Sequence, residues 1–267
     1  NNEDSNISNL IKEIIPNIAS LVEKIVENIK NGGRLIYVGC GTSGRLGVLD
    51  ASECPPTFSI NSKQVIGIIA GGYKALHKSI EGAEDDISLA KNDFSKNNIC
   101  CTDTVIGISA SGTAPYVHKI LELSHKVNAS TVILTSNKIN KNKYIDKKIE
   151  IIVGPEIITG STRMKAGTAT KMILNMISTT TMILLNKTYK NYMVDLKVSN
   201  VKLQKRALKI INTITELDEK NAGELLNEAK GKVKVALLMY FNNISYSDAN
   251  KILLKNEGSL RKAVNKI

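Results

Sequence analysis

The sequence predicts an α/β protein with a parallel sheet, followed by a smaller helical region. Five short runs rich in Val and Ile have the length of strands: 34–39, 65–70, 104–109, 131–136 and 149–154. Most of these runs are separated by segments with helical spacing of apolar residues. This alternation is typical of a parallel sheet covered by helices on both faces. From about Asn200 the strand-like runs stop and only helical patterns recur.

The helices follow from the same spacing of apolar residues. Apolar positions from Ile7 to Ile29 predict a long first helix, which the Gly pair at 32–33 ends. The most apolar stretch, 172–186, is short and broken by Asn, Ser and Thr, so a buried helix is predicted rather than a membrane span. Helical patterns in the tail cover 200–215, 218–229, 231–241, 246–254 and 258–265. We therefore predict one larger α/β domain over residues 1–199 and a helical subdomain over 200–267.

Composition narrows the class of protein. Hydrophobic residues make up 42% of the 267 residues, enough for a packed core. The formal net charge is +11, which raises the question of nucleic acid. The Lys residues are scattered among Asn and Ile, as in 137–148, and no basic-aromatic stripe appears. A solvated Lys-rich surface is the interpretation, with no nucleic-acid or membrane partner.

The cysteines and the first residues indicate the compartment. Cys40, Cys54, Cys100 and Cys101 lie in no disulfide framework or metal-ligand spacing. The opening residues 1–10 are acidic and polar, unlike a signal peptide. Reduced thiols in a cytoplasmic protein are expected.

A glycine turn follows the first predicted strand. Gly39-x-Gly41-x-x-Gly44 has the spacing of a dinucleotide-binding turn. That fingerprint also needs an acidic residue after the second strand, and 68–73 supplies none. The pattern GxxxxGK[ST] is absent too. Nicotinamide, flavin and P-loop nucleotide sites are therefore disfavoured.

Loops rich in Ser and Thr follow two strand ends. They are 39–45, which holds Thr42 and Ser43, and 109–115, which holds Ser109, Ser111 and Thr113. Hydroxyls and the free N–H groups at a helix start can hold a phosphate without a metal. The alternative is that these residues are ordinary N-caps. Two such loops at neighbouring strand ends favour a phosphate site.

The longer motifs identify a family. "CGTS" and "SASGTA" resemble the loops of the sugar isomerase (SIS) domain. The runs 33–58, 69–86 and 153–178 resemble N-acetylmuramic acid 6-phosphate etherases, and the likeness continues through 191–200 and the helical tail. Members usually carry additional N-terminal residues, so this chain is expected to begin part-way into the family sequence.

The resemblance implies the architecture and the activity. The implied fold is a three-layer αβα sandwich with a five-stranded parallel sheet and a ubiquitin-associated-like helical subdomain. The implied assembly is a homodimer with the sugar phosphate near the subunit interface. The implied reaction converts N-acetylmuramic acid 6-phosphate into N-acetylglucosamine 6-phosphate and D-lactate, in cell-wall amino sugar catabolism and recycling, without metal or nucleotide.

The resemblance also assigns the catalytic carboxylates to Glu53 and Glu84. Elimination of lactate and addition of water each need a positioned proton donor or acceptor, which a carboxylate can supply. Glu53 is expected to act in elimination and Glu84 in addition of water. The residues alone predict that Glu53 is an exposed carboxylate on a helix and that Glu84 is part of a solvated acidic surface.

Further residues complete the expected site. The substrate-binding set is Thr42, Ser43, Gly44, Ser109, Ser111, Gly112, Thr113, Glu156, Ser161, Arg163 and Lys165. The SIS pattern ends in Thr where this chain has Ala114, so Thr113 is a candidate replacement. Surface ion pairs are the alternative for Arg163 and Lys165. Asp50 is a second-rank candidate carboxylate, with capping or pairing within the protein as its alternative. The three histidines are interpreted as helix-surface residues: His77, His118 and His125.

Two other functions share parts of this pattern. An aldose–ketose sugar-phosphate isomerase uses the same domain and loops, but leaves the motifs around Glu53 and Glu84 unexplained. A non-catalytic sugar-phosphate-binding regulator is the other alternative. The relatives of that kind are longer and carry a second such domain.

Overall fold

The computed structural model describes residues 1–196 and 201–264. Contacts divide the chain into two compact units: the first comprises Asn1–Cys54 and Asn61–Thr181, the second Pro55–Ile60 and Met182–Ile267. The predicted domain boundary at 199/200 lies outside the described residues.

The first unit is built on a five-stranded parallel sheet. Its strands are β1 (Leu35–Gly39), β2 (Val65–Ile69), β3 (Thr104–Ile108), β4 (Ser130–Thr135) and β5 (Lys147–Glu150). Their order in the sheet is β2-β1-β3-β4-β5, and every pair is parallel. The five predicted strands are therefore confirmed. The fifth lies earlier than predicted, since only Ile149 and Glu150 of the run 149–154 belong to it.

Burial explains why these runs are strands. Each residue of β1 and β3 is buried, as expected for strands with helices on both faces. Mostly aliphatic side chains pack around them, together with the fully buried rings of Tyr37 and Tyr116. The centre of the sheet is thus a rigid platform from which the loops after β1 and β3 leave.

Helices α1 to α7 are assigned in chain order. They are α1 (Asn2–Ser5), α2 (Ile7–Lys30), α3 (Gly41–Phe58), α4 (Lys74–His77), α5 (Ile87–Lys96), α6 (Pro115–Lys126) and α7 (Lys165–Leu184). The long first helix and the apolar helix of 172–186 are both present, as predicted. Helix α3 continues through Pro55 and Pro56 to Phe58. The fixed φ of proline is compatible with helical backbone, although each ring removes one N–H donor.

In its described residues, the second unit is helical apart from a two-stranded ribbon. The ribbon pairs β6 (Thr188–Tyr189) with β7 (Tyr192–Met193), and the sequence did not predict it. The helices are α8 (Val201–Thr215), α9 (Glu219–Glu228), α10 (Val233–Asn242), α11 (Tyr246–Lys255) and α12 (Leu260–Ala263). Helices α9, α11 and α12 begin at side-chain N-caps: Asp218, Ser245 and Ser259.

A charged cluster lies inside the second unit. The Lys234 ammonium is 2.6 Å from the Asp195 carboxylate and donates to the Asn186 carbonyl at 2.8 Å. Burial lowers the pKa of Lys234, although Asp195 opposes this shift. The cluster joins α10 to the segment that follows β7. No helix among the described residues is long and apolar enough to cross a membrane.

Candidate active site

The candidate site lies where the strand order reverses. The chain passes from β1 outward to β2, and then returns to place β3 on the other side of β1. In open α/β sheets, ligands bind at such a switch point, beyond the carboxyl ends of the strands. The two hydroxyl-rich loops leave β1 and β3, so they meet at this point.

The first loop is closed by two glycines in contact. A Cβ on Gly44 would lie 2.6 Å from the Gly39 oxygen and 2.6 Å from the Cγ1 of Ile69. Only glycine therefore lets the start of α3 approach the end of β1 so closely. Thr42 and Ser43, both half-buried, follow in the first turn of α3. The free N–H groups of this turn point to the same end of the sheet.

The second loop is a connected set of hydroxyl groups. The Ser111 hydroxyl is 2.9 Å from the Thr113 hydroxyl and 3.4 Å from that of Ser109. The backbone N–H of Gly112 donates to the Ser109 hydroxyl at 3.1 Å. Gly112 has φ +76° and a Cβ there would meet Ile139 at 2.5 Å, so this position requires glycine. Thr113 thus belongs to the same hydroxyl set, beside Ala114.

The two loops enclose one cavity of about 350 Å³. We call it the loop cavity. Its lining comprises Cys40, Gly41, Thr42, Ser43, Glu84, Ile108, Ser109, Ala110, Ser111, Ala114, Gly160 and Thr162. The structure therefore brings four predicted hydroxyl residues to one cavity. Gly44, Gly112 and Thr113 shape the loops behind this lining.

Glu84 lies on the wall of the loop cavity. Its backbone carbonyl accepts a hydrogen bond of 2.9 Å from the N–H of Tyr116, in the first turn of α6. That N–H has no partner within the helix, so the bond fixes the segment that carries Glu84. Burial, with the nearby charges of Glu84 and Asp85, raises the pKa of the Cys40 thiol to about 12. Cys40 is therefore a neutral thiol rather than a nucleophile.

Glu53 lies apart from the loop cavity of its own chain. Helix α3 begins at the cavity, and by Glu53 it has risen about 18 Å along its axis. The Glu53 side chain is exposed. Within one chain, the structure does not bring the two predicted catalytic carboxylates together.

Asp50 has an internal role. Its side chain is 3% exposed, lies 2.7 Å from the Lys171 ammonium and accepts from the Tyr37 hydroxyl at 3.1 Å. Asp50 thus connects α3, α7 and β1. The structure supports the interpretation in which Asp50 pairs with other residues of the protein.

The loop before α7, which holds the predicted site residues Ser161 and Arg163, contributes only in part to the loop cavity. Gly160 and Thr162 line it, whereas the predicted neighbours of this loop, Ser161 and Arg163, are not among the described lining residues. The Glu156 carboxylate accepts from the backbone N–H groups of Lys165 and Ala166 at 2.9 and 3.0 Å.

Glu156, predicted to bind substrate, therefore caps α7 instead, and its carboxylate occupies the start of this helix. The buried Lys165 ammonium is paired with Glu3, which lowers the pKa of the Glu3 carboxyl. Both groups are engaged within the protein rather than facing the loop cavity.

Sequence reasoning missed the role of His118. This residue is half-buried, and its Nε2 lies 2.7 Å from the Gly112 carbonyl oxygen. It is thus a support of the second loop rather than a helix-surface residue. The sequence signal for this role was the position of His118 in the first turn of α6, because side chains there point back toward the preceding loop. Among the described residues, no group of His, Cys, Asp and Glu could hold a metal ion.

Comparison with known proteins identifies the family. Residues 17–125 match the glucokinase regulatory protein N-terminal SIS domain, and residues 190–232 match the C-terminal lid domain of glucokinase regulatory protein. The N-acetylmuramic acid 6-phosphate etherase 1 of Bacillus licheniformis is 49% identical over 99% of this chain and 87% of its own length. The N-acetylmuramic acid 6-phosphate etherase of Caldanaerobacter subterraneus is 48% identical over 99% of this chain and 87% of its own length.

A solved structure of a putative phosphosugar isomerase from Bacteroides fragilis is also similar. It has 19% identity and a TM-score of 0.48, and the match covers 71% of this chain and 84% of that one. The SIS-type α/β fold predicted from the sequence is confirmed by the strand order and by the SIS-domain match. With near-complete coverage by relatives at such identity, the chain belongs to the N-acetylmuramic acid 6-phosphate etherase family.

Proposed function

We propose that this protein cleaves the D-lactyl ether of N-acetylmuramic acid 6-phosphate, giving N-acetylglucosamine 6-phosphate and D-lactate. The observation that carries the proposal is the presence of Glu84 on the wall of a hydroxyl-lined cavity at the switch point of the sheet. Such a cavity suits a phosphorylated sugar, and the carboxylate supplies a proton acceptor beside it. The relatives favour this activity over isomerisation or simple regulation.

The chemistry avoids direct displacement at an alkyl ether. In the open-chain sugar, the C1 aldehyde makes the C2 proton acidic, and the ether oxygen is attached to C3. A base removes the C2 proton, the C3–O bond breaks, and the departing lactate oxygen gains a proton. Water then adds its oxygen to C3 and a proton returns to C2. The net change is the uptake of one water, with no redox step.

The phosphate is proposed to bind between the two loops. Thr42, Ser43, Ser109 and Ser111 present hydroxyl groups there, alongside the free N–H groups at the start of α3. Their partial positive charges neutralise part of the phosphate charge without a metal. Glu84 then lies beside the sugar rather than beside the phosphate, as its role in adding water requires.

Glu53 needs a second copy of the chain for the role proposed for it. It protonates the departing lactate oxygen, yet it is distant from the loop cavity of its own chain. We propose a homodimer in which the exposed Glu53 of one protomer completes the site of its partner. The assembly and this placement are proposals, supported by the exposure of Glu53 and by its distance along α3.

A cytoplasmic location is proposed as well. Cys100 and Cys101 are exposed free thiols, and Cys40 and Cys54 are also free. Adjacent exposed thiols suit a reducing compartment.

Oxygen labelling tests the proposed reaction. The protein is supplied with N-acetylmuramic acid 6-phosphate in ¹⁸O-enriched water, and both products are analysed by mass spectrometry. Elimination and hydration predict unlabelled D-lactate and one ¹⁸O at C3 of the amino sugar, in excess of the exchange measured at the aldehyde. Label in the lactate would contradict the mechanism, and no lactate release would contradict the activity.

A further inference from the structure

A second cavity shares a wall with the loop cavity. It has a volume of about 330 Å³ and we call it the side cavity. It is lined by Cys40, Gly41, Arg45, Ala70, Ala75, Lys78, Ser79, Ile80, Glu81, Gly82, Ala83 and Glu84. Cys40, Gly41 and Glu84 also line the loop cavity. A ligand next to Glu84 therefore has access to both spaces.

Arg45 fixes one wall of the side cavity. Its guanidinium donates to the Leu76 carbonyl at 3.3 Å and to the Lys78 carbonyl at 3.2 Å. These bonds hold the segment after α4 against the first turns of α3. Because a guanidinium has five N–H donors, two such bonds leave donors for a further acceptor.

The polar groups of the two cavities differ in kind. The loop cavity is lined by hydroxyl groups and carries no Lys or Arg among its described lining residues. The side cavity contains the cations Arg45 and Lys78, opposed by the carboxylates Glu81 and Glu84. The hydroxyl groups and helix N–H groups of the loop cavity can hold a phosphate without a cation, whereas the lactyl carboxylate gains a charge-assisted hydrogen bond from an ammonium or guanidinium group.

The order of groups along the substrate matches this division. The phosphate is on C6, the proton to be removed is on C2, and the lactyl ether is on C3. With the phosphate between the loops and C2–C3 beside Glu84, the lactyl group extends past Glu84, away from the phosphate. The side cavity, whose lining also includes Glu84, provides space for this group.

We propose that the side cavity binds the carboxylate of the lactyl group, with Lys78 and Arg45 as its cationic partners. This inference rests on the proposed function and names the part of the site that distinguishes a lactyl ether from the plain amino sugar phosphate. Lys78 is the specificity-determining residue, because it lines the side cavity and its backbone is already held by Arg45.

The test compares two ligands that differ only in the lactyl group. In the wild type and in Lys78→Gln, KM is measured for N-acetylmuramic acid 6-phosphate, and the inhibition constant is measured for N-acetylglucosamine 6-phosphate. Lys78→Gln should raise KM about tenfold, the scale of one charge-assisted hydrogen bond, and leave the inhibition constant within about twofold. Lys74→Gln, which removes an exposed ammonium outside the side cavity, is the matched control and should change neither value.

Two further variants make the test sharper. Glu81→Gln removes a repelling carboxylate from the side cavity and should lower KM without changing the inhibition constant. Ser111→Ala should weaken both ligands together, because both carry the phosphate. The proposal is overturned if Lys78→Gln leaves KM unchanged or raises both constants equally.

The test also separates this inference from the proposed reaction. If the wild type releases no lactate, the proposed function fails. Calorimetry with the same two sugar phosphates then tests the side cavity by binding alone. Weaker binding of N-acetylmuramic acid 6-phosphate by Lys78→Gln, with unchanged binding of N-acetylglucosamine 6-phosphate, would support the proposal. Equal binding of that ligand by the wild type and Lys78→Gln would overturn it.

Discussion

The imidazole of His118 connects the Gly112 carbonyl to the Tyr144 hydroxyl. Its Nε2 lies 2.7 Å from the carbonyl oxygen, and its Nδ1 lies 3.2 Å from the Tyr144 oxygen. A carbonyl only accepts, so Nε2 carries the proton and Nδ1 accepts from the tyrosine. Gly112 is the residue with positive φ between Ser111 and Thr113. The geometry of the second loop therefore depends on a histidine outside it.

Removing this support should weaken binding of the sugar phosphate. In His118→Phe the ring remains but both hydrogen bonds are lost, so we expect KM to rise about tenfold, the effect of one or two neutral hydrogen bonds, while kcat changes little. Steady-state kinetics provides the measurement. His125→Gln, a change on the exposed end of α6, is the control and should leave KM unchanged. A lower kcat with an unchanged KM would instead mean that His118 takes part in the catalytic step.

Ser111 is expected to contribute directly to phosphate binding. Ser111→Ala removes a hydroxyl that lines the loop cavity, and we expect affinity for N-acetylglucosamine 6-phosphate to fall about tenfold, corresponding to about 1.4 kcal/mol. Isothermal titration calorimetry measures the affinity. Ser95→Ala, an exposed change on α5, serves as the control. Unchanged affinity would mean that the phosphate binds elsewhere.

Mixing two inactive variants tests whether the site is shared between protomers. Glu53→Gln and Glu84→Gln should each reduce lactate release at least a hundredfold, roughly the contribution of general acid–base catalysis. If one protomer supplies Glu53 and the other Glu84, a mixed dimer contains one intact site. Each mixed dimer should then have up to about half of the activity of a wild-type dimer. The limit follows because a two-fold symmetric dimer has two sites and only one of them is intact in the mixed dimer.

The control for this experiment is each variant alone, mixed with itself. Full activity of Glu53→Gln would remove Glu53 from the mechanism. Two inactive variants that recover nothing as a verified mixed dimer would place both carboxylates in the site of one chain.

The thiols should differ in reactivity. Burial raises the pKa of Cys40 and Cys54 to about 12, with the charges of Glu84 and Asp50 as secondary causes. At pH 8 both therefore remain protonated, whereas Cys100 and Cys101 are exposed. Iodoacetamide should label the exposed pair first, and peptide mapping by mass spectrometry measures the rates. Raising the pH toward 12 should narrow the difference, since more of the buried thiols become thiolates; early labelling of Cys40 at pH 8 would contradict the assignment.

A buried ion pair at the start of the sheet should stabilise the first unit. The Asp103 side chain has no exposed surface and lies 2.5 Å from the Arg34 guanidinium. It also accepts from the backbone N–H groups of Arg34 and Cys100 at 2.9 and 3.1 Å. Asp103→Ala should lower the free energy of unfolding by about 3–5 kcal/mol, because Arg34 and these donors lose their partner.

An exposed pair gives the matched comparison for this stability effect. Lys24 and Glu27 are 2.9 Å apart on α2, with both side chains about half exposed. Glu27→Gln should change stability by less than about 1 kcal/mol. Chemical denaturation followed by circular dichroism measures both variants, and a similar small change in each would contradict the role of Asp103.

Local patterns were sufficient to predict the sheet and the two hydroxyl loops. The runs that became β1 and β3 are rich in Val and Ile, and the glycines at 39, 44 and 112 mark places where the backbone turns or approaches closely. The family resemblance supplied the candidate carboxylates, which their acidic surroundings alone did not distinguish.

The remaining features depend on contacts distant in sequence. The pairing of Lys165 with Glu3 joins residues at opposite ends of the first unit. The strands of the ribbon at 188–193 have two residues each, too few for an alternating pattern. The distance of Glu53 from the loop cavity depends on the residues from Gly41 to Glu53 forming one continuous helix, whereas the motif alone gives only the residue type.

Because the two loops lie far apart along the chain, folding of the protein is coupled to ligand binding in the loop cavity. Residues 40–43 and 108–114 meet only after β1 and β3 have paired, so an unfolded chain presents no assembled cradle. A ligand that binds only the native state adds about 2.7 kcal/mol of stability at a hundredfold excess over its dissociation constant. Protein without ligand would then open more often and be degraded sooner. The supply of sugar phosphate would in this way set the lifetime of the protein in the cell, in addition to the rate at which it works.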